Sequence, residues 1–585
     1  MKPIYEQFFK NFQEEYLEGC RQLINQPEFD VTTLFTQDEL SKKLLNCPIM
    51  PSTLNILQLI ARFGKQWASP LITSILDRGV AVDLKNRDGV TALIFAACHS
   101  NTDSSLETVE TLIRAGANLD LHYKHGWTAL IYASLYSRTT SSLETVETLI
   151  RAGANLDLQK TDGWTALMLA SRNSKTKSSL ETVETLIRAG ANLDLQDKDG
   201  WTALMLAARK SKTDSSLETV KTLIQAGANL NLQSREGWTT LIMASRYSKT
   251  ESSLETVETL IQAGANLNLQ NKEGWTALMY ASRLSKMDSS LETVEALIRA
   301  GANLDLQKTD GWTALMFASR NSKTESSLET VEALIQARAN LDLQNQEGWT
   351  ALMMASRYSE TTSSLQTVET LIQAGANLDL QKTEGWTALM LASRYSETDS
   401  SLETVETLIQ AGANLDLQTD KGETALMFAA CNSKTTSSLK TVETLIRAGA
   451  NLDLQSREDG TALIYASHYS ETTSSLETVE TLIRARANLD LQNVEGLTAL
   501  MYASRYSKTT SSLETVETLI RAGANLDLQN KYGWTALTYI ITKAKSPSLV
   551  KIFILAGGNV NLLDDEDMSE DESEDESEDE SEDDS

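Results

Sequence analysis

The residue types that carry most catalysis and metal binding are scarce in this chain. Its 585 residues include four histidines and four cysteines. Cys20, Cys47, Cys98 and Cys431 share no close spacing, and no Cys-x-x-Cys pair occurs. That argues against a disulfide framework or a thiolate zinc site and points to a reducing compartment. His122 and His125 are near neighbours, but no cysteine or carboxylate cluster stands at ligand spacing around them. His99 and His468 are isolated. No Gly-x-x-x-x-Gly-Lys-Ser/Thr, Gly-x-Gly-x-x-Gly or Gly-x-Ser-x-Gly segment is present, so phosphate-loop, dinucleotide and serine-hydrolase readings have no residues to stand on. We expect no enzyme activity, no cofactor and no metal.

Long apolar runs are missing too. Nothing approaches the roughly 18 apolar residues of a membrane span. The opening Met1-Lys-Pro-Ile-Tyr-Glu-Gln-Phe-Phe-Lys10 lacks the apolar core of a signal peptide. Six prolines in this length fit a mostly helical chain. A basic stripe, which a nucleic-acid-binding body needs, is also absent. The net charge is −28, and residues 564–585 hold 16 acidic side chains and no basic one, which leaves −12 on the other 563 residues. The expected protein is intracellular and non-secreted, cytoplasmic rather than nuclear, with no membrane or nucleic-acid partner.

What the chain has in abundance is repetition. A 37-residue unit recurs with little drift. Its tryptophan stands at Trp127, Trp164, Trp201, Trp238, Trp275, Trp312, Trp349, Trp386 and Trp534. Val90, Glu423, Gly460 and Leu497 hold the same register, which makes thirteen units. A fixed period of this size means a stacked array, because one such unit cannot bury its own apolar face.

One unit reads from Gly163 to Leu195. Thr165 is placed to cap a short apolar helix that begins at Ala166. A polar break follows, and Ser178-Ser-Leu-Glu181 has the form of a capping box. In the second helix Leu180, Val183, Leu186 and Ile187 make one apolar stripe, which leaves Glu181 and Glu184 to face solvent. Gly190 ends the helix in a left-handed conformation. Ala-Asn-Leu-Asp-Leu-Gln196 then runs extended, and Asp-Lys-Asp-Gly200 turns back to the next tryptophan. Arg338 and Arg486 replace the helix-ending glycine in two units, which predicts strained caps there.

Gly-x-Thr-Ala-Leu, the Leu-Glu-Thr-Val-Glu-Thr-Leu-Ile helix and Ala-Gly-Ala-Asn-Leu-Asp-Leu together resemble the ankyrin repeat. The resemblance covers about Asp88 to Leu563. The long, nearly identical units are further similar to ankyrin proteins of giant DNA viruses of amoebae, which would put the protein in a host cytoplasm. The family implies an all-α fold, an ankyrin-type α-solenoid with short hairpin arms, and a non-catalytic scaffold for protein–protein interaction. Two departures stand out. The family's Thr-Pro-Leu-His is here Thr-Ala-Leu-Met or Thr-Ala-Leu-Ile, so its inter-repeat histidine bonds are missing. Four extra residues separate the two helices. Both shift the expected stability towards apolar stacking.

The resemblance also places the tryptophans near the hairpin on the concave side. The pairs Arg246 and Tyr247, Arg357 and Tyr358, Arg394 and Tyr395, and Arg505 and Tyr506 would lie on that same side. Tryptophan, tyrosine and arginine are the types enriched at binding hot spots, so these are the candidate partner-binding residues. The alternative is a tryptophan ladder that packs on neighbouring hairpins and arginine stems; the two are compatible.

The ends differ from the array. Residues 1–52 read as a divergent helical cap, with Ile4, Phe8 and Phe12 at helical spacing, and residues 53–87 as a degenerate ankyrin-like repeat. Residues 88–563 hold the thirteen units, the last one shortened. Residues 564–585 form an acidic tail too polar to bury a core. Ser569, Ser573, Ser577 and Ser581 each precede three acidic residues, a pattern that suits acidophilic kinases. Two further functions stay open. The tail could bind a basic protein, as a histone chaperone or a decoy does, or residues 1–52 could recruit a ubiquitin ligase to the array.

Overall fold

The computed structural model describes the chain apart from residues 1, 15–16, 31–32, 37–52, 66–67, 138, 322–327, 360–361, 397–399, 435, 458–459 and 561–585. It divides into two compact units, Met1–Thr309 and Asp310–Ser585.

In the first unit the repeat at Trp201 shows the grammar. Thr202 is extended, and its hydroxyl accepts the Met205 N–H to open the inner helix Ala203–Arg209. Ala203 to Ala208 are all buried. A helix apolar on every side is one enclosed on every side, here by the inner helices before and after it and by its own outer helix. The outer helix Leu217–Gln225 buries Thr219, Val220 and Leu223 and leaves Glu218 exposed. Gly227 (φ 92°) closes it, with its N–H on Ile224 O and the Ala228 N–H on Leu223 O. That is the double bond of a Schellman cap. Gly200 is required twice over: its φ is 81°, and a Cβ there would lie 2.6 Å from Arg235 N in the next hairpin.

Two expectations about the outer helix need correction. At the described caps of the outer helices the Ser-x-x-Glu box does not form. At Ser216 and Ser253 the second serine of the pair is the cap, and its hydroxyl accepts from a threonine N–H three residues on. The glutamate then falls in the first turn, where its charge complements the helix dipole. In the Trp164 unit the helix starts a turn earlier, as Lys177–Arg188, capped by Thr176 and Ser179 reciprocally. Glu181 and Glu184 are half-buried rather than turned out to solvent.

The leaning towards apolar stacking is also corrected, because rows of polar bonds join successive repeats. Gln196 Nε2 donates to Gly200 O (2.7 Å) and to Gln233 O in the next repeat (2.9 Å). Asp157 Oδ1 accepts the Asn192 N–H at 2.9 Å, and Asp194 Oδ1 accepts the Asn229 N–H at 2.9 Å. The third row is buried: Thr256 Oγ1 bonds Ser211 Oγ at 2.7 Å, and Thr293 Oγ1 bonds Ser248 Oγ at 2.7 Å.

The amino-terminal helices Pro3–Gln13 and Leu17–Ile24 bury Phe8, Phe9 and Phe12 with Phe29. Arg21 Nε donates to Ser74 Oγ (3.3 Å), and Arg78 donates to Phe29 O (2.8 Å), which ties this segment to helix Ala68–Leu76 and the turn after it. Leu34–Thr36 and Thr53–Asn55 pair antiparallel.

The second unit repeats the grammar. Ser359 Oγ meets Ser400 Oγ (2.9 Å) and Thr404 Oγ1 (2.6 Å). Arg338 and Arg486 take the left-handed conformation, at φ 67° and 68°. The last repeat departs from it: a π-type turn, Ile540–Ala544, follows Ala536–Tyr539, and the outer helix is Pro547–Leu555. No described helix is long and apolar enough to cross a membrane.

Candidate functional site

The hairpin turn fixes each tryptophan before the inner helix begins. The Trp201 N–H donates to Asp197 Oδ1 (2.8 Å) and the Trp275 N–H to Asn271 Oδ1 (2.8 Å). An arginine closes the inner helix eight residues on. Helical side chains lean towards the amino terminus, so this arginine comes back over the ring. In the first unit Arg172, Arg209, Arg246 and Arg283 stand 5.4, 5.6, 5.4 and 5.6 Å from the rings of Trp164, Trp201, Trp238 and Trp275. Tyr247 adds a second face: Arg209 is 5.4 Å and Arg246 5.1 Å from its ring. Tyr280 stacks between Trp238 (5.0 Å) and Trp275 (4.5 Å). Burial pushes its hydroxyl pKa up to about 12. The result is a ribbon of alternating rings and guanidinium planes.

The second unit carries the same ribbon. Arg320 lies 5.5 Å from both Trp312 and Tyr358. Arg357 lies 5.8, 5.2 and 4.6 Å from Trp349, Tyr358 and Tyr395. Arg394 lies 5.3, 5.8 and 5.7 Å from Trp386, Tyr395 and Phe428. Lys382 Nζ sits 5.2 Å from Trp349, and burial holds its ammonium below the ordinary lysine value. Beyond Trp386 the pattern changes. Glu423 accepts from Thr419 Oγ1 (3.2 Å) and Tyr465 OH (3.4 Å). His468 takes the arginine position and stacks on Tyr469 (4.2 Å) and Tyr506 (4.3 Å). Arg505 lies 5.1 Å from Tyr506, and Trp534 meets Tyr539 edge-on at 5.3 Å.

None of the nine repeat tryptophans is fully exposed. Trp275 and Trp349 are buried at 6% and 8% exposure, and the other seven are half-buried. The ladder reading of the tryptophans therefore describes their surroundings; Arg246, Tyr247, Arg357, Tyr358 and Tyr395 are half-buried like most of the tryptophans, and Arg172, Arg320 and Arg394 are the exposed members of the ribbon. The predicted Arg–Tyr pairs at 246–247, 357–358 and 394–395 do join tryptophans. Trp127 and Trp534 stand apart from the arginine series, because Leu135 and Thr542 occupy the position that arginine holds elsewhere. Lys160 covers Trp127 instead, 4.2 Å from its ring. Sequence reasoning missed Arg172, Arg209, Arg283 and Arg320. It also missed the ring at Tyr280, Phe317 and Phe428, a position that recurs at the same 37-residue period.

The arginines differ in what they bond. Arg209 Nε donates to Glu251 Oε2 (3.1 Å), and Lys210 Nζ takes Oε1 of the same carboxylate (2.9 Å). Burial pushes the Glu251 carboxyl up, but the Lys210 and Arg209 hydrogen bonds outweigh it and hold it below the ordinary value. Nε of Arg246 and Nε of Arg357 are buried with no acceptor among the described residues. A buried donor left unpaired costs about 1–3 kcal/mol.

Apart from the ribbon, a cleft of about 570 Å³ opens between the hairpins in the first unit, lined by Asp88, His122, Tyr123, Lys124 and His125. Lys124 Nζ pairs with Asp88 at 2.8 Å. Among the described residues no group of three or more histidine, cysteine or acidic side chains is arranged to hold a metal. Ser569, Ser573, Ser577 and Ser581 lie outside the described residues.

The family model for ankyrin repeats, in three copies, matches ten overlapping segments of the chain, the first 57–158 and the last 468–564. No curated protein matches.

Proposed function

The chain belongs to the ankyrin-repeat family, and on that premise we propose that it is a non-catalytic scaffold whose Trp–Arg–Tyr ribbon docks protein partners. Ankyrin repeats are in general protein–protein interaction modules. The observation that carries the reading is the ribbon itself. Residue types that dominate binding energy recur in successive repeats, with Arg172, Arg320 and Arg394 exposed and Tyr247, Tyr358 and Tyr395 half-buried along the same ribbon. Identical sites repeated along a face favour an extended or repetitive partner, and they raise avidity without new contacts.

The test compares captured partners for the full chain and for a Tyr247→Ala, Tyr358→Ala, Tyr395→Ala variant, with folding checked by circular dichroism. A second variant carries Glu144→Lys, Glu292→Lys and Glu403→Lys on the outer helices. The ribbon variant is expected to lose its partners by about tenfold or more, the size of one or two hot spots. Partners kept by the ribbon variant and lost by the outer-helix variant would place the docking surface on the other face.

A further inference from the structure

One arginine of the ribbon already displays a carboxylate ligand that Arg357 lacks. Arg209, flanked by Trp201 and Tyr247, gives its Nε to a carboxylate, Glu251. Arg357 has the same setting, between Trp349, Tyr358 and Tyr395, with its Nε buried and no acceptor among the described residues. A guanidinium held between rings keeps its edge for in-plane hydrogen bonds, and carboxylates fit that edge. The carboxylates on the nearby hairpins are engaged elsewhere: Glu347 accepts from Trp349 Nε1 (3.1 Å), and Glu384 lies 4.0 Å from Lys382 Nζ. Arg320 and Arg394, both exposed, extend the positive edge on both sides of Arg357.

We propose that this edge of the second unit is a receptor for an acidic extended peptide, and that its occupant is the chain's own segment 564–585. The proposal rests on reading the ribbon as a docking surface. Charge complementarity favours the segment, with 16 acidic side chains and no basic one. So does reach. Residues 561–585, at about 3.3 Å per residue, extend to about 80 Å. Repeats stacked about 8–10 Å apart put Arg357 about five repeats, or 40–50 Å, from the carboxy-terminal one. Three of every four residues from Ser569 to Glu580 are acidic, so a carboxylate reaches each arginine without a fixed register. A tethered segment acts at roughly millimolar effective concentration, so an outside acidic or basic partner would have to compete with it.

The test titrates a labelled peptide of sequence 564–585 into full-length chains at low salt, followed by fluorescence anisotropy. One chain is native. A second has every acidic residue of 564–585 changed to its amide. A third adds Arg357→Lys to the second, which keeps the charge but removes the planar fork. A fourth adds Arg299→Ala instead, on an exposed outer helix. The neutralised chain is expected to bind the peptide at least about tenfold tighter than the native chain, which must first release its own segment. Arg357→Lys is expected to undo most of that gain, and Arg299→Ala to leave it. Equal affinity for native and neutralised chains would overturn the occupant. Binding indifferent to Arg357→Lys, or no binding to any chain, would overturn the receptor. Either failure leaves the capture of other partners by the ribbon intact, so the two ideas fail separately.

Discussion

Replacing Arg338 by glycine is expected to stabilise its repeat. Arg338 ends the outer helix Leu328–Gln336 at φ 67°. Its N–H bonds Ile335 O at 2.9 Å, and the next N–H bonds Leu334 O at 3.0 Å. Gly301 makes the same two bonds, at 2.9 and 3.0 Å. The cap is thus fully formed, and only the backbone conformation differs in cost. A Cβ built at Gly301 or Gly375 meets nothing within 4 Å, so crowding by neighbours adds nothing. What remains is the left-handed penalty, about 1–2 kcal/mol for a residue with a Cβ. Glycine gives back about 0.5–1 kcal/mol of that through the freer unfolded chain. The net gain is about 0.5–1 kcal/mol. In an array such a gain is felt first locally. Native-state hydrogen exchange at the Ala339 and Arg338 amides is the primary assay, with urea unfolding of the full chain beside it. Arg486→Gly is an independent repeat of the test and is expected to add to the first. Slower exchange at neither site, or a lower urea midpoint for either variant, would refute the argument that these caps are strained.

Other outcomes follow from the same geometry. Gly385→Ala is expected to destabilise far more than Gly375→Ala, because its Cβ would lie 2.8 Å from Asp420 N and Thr419 Cα as well as sitting at φ 83°; the comparison needs only two urea curves. Thr404→Val removes the buried bond to Ser359 and is expected to cost about 1–3 kcal/mol by the same assay. For His99, burial and the Arg62 guanidinium push the imidazole pKa down to about 4. Its unfolded value is about 6.5, so the unfolded chain binds the proton first. Stability is then full above about 6.5 and is lost as pH falls towards 4. His99→Gln is expected to flatten that part of the stability–pH curve, and an unchanged slope would reject the assignment.

The parts of the fold legible in the sequence were those that one unit contains. Thr165 as a cap, Gly190 as a stop and the Val183–Leu186 stripe depend on neighbours within a few residues, and all three stand in the structure. The parts that escaped depend on the residue 37 or more positions away. Ser211 reads as loop polarity until Thr256 of the next repeat is laid against it. Gln196 reads as a hairpin filler until Gln233 O is seen as its acceptor. At Ser216 and Ser253 the capping box failed for a similar reason. The threonine three residues after the true cap is held by its neighbour's serine as well as by its own helix, and this fixes the start of the helix one residue later. At the ribbon, the arginines followed by tyrosine drew attention together with the tryptophans, whereas Arg172, Arg209, Arg283 and Arg320, with no tyrosine after them, looked like ordinary polar termini.

The rows of identical bonds bear on heredity as well as on stability. Each acceptor in the glutamine row is the same backbone carbonyl one period on, so an in-frame loss of residues 201–237 would join Gly200 to Trp238 and offer Gln196 the carbonyl of Gln270 in place of Gln233. The aspartate and serine rows would close over the gap in the same way. Unequal crossing-over between such units would therefore lengthen or shorten the array and keep these three rows of bonds, while contacts peculiar to one unit, such as Lys210 with Glu251, would be lost. The three rows run on past Glu423, Gly460 and His468, so only the rings set that stretch apart.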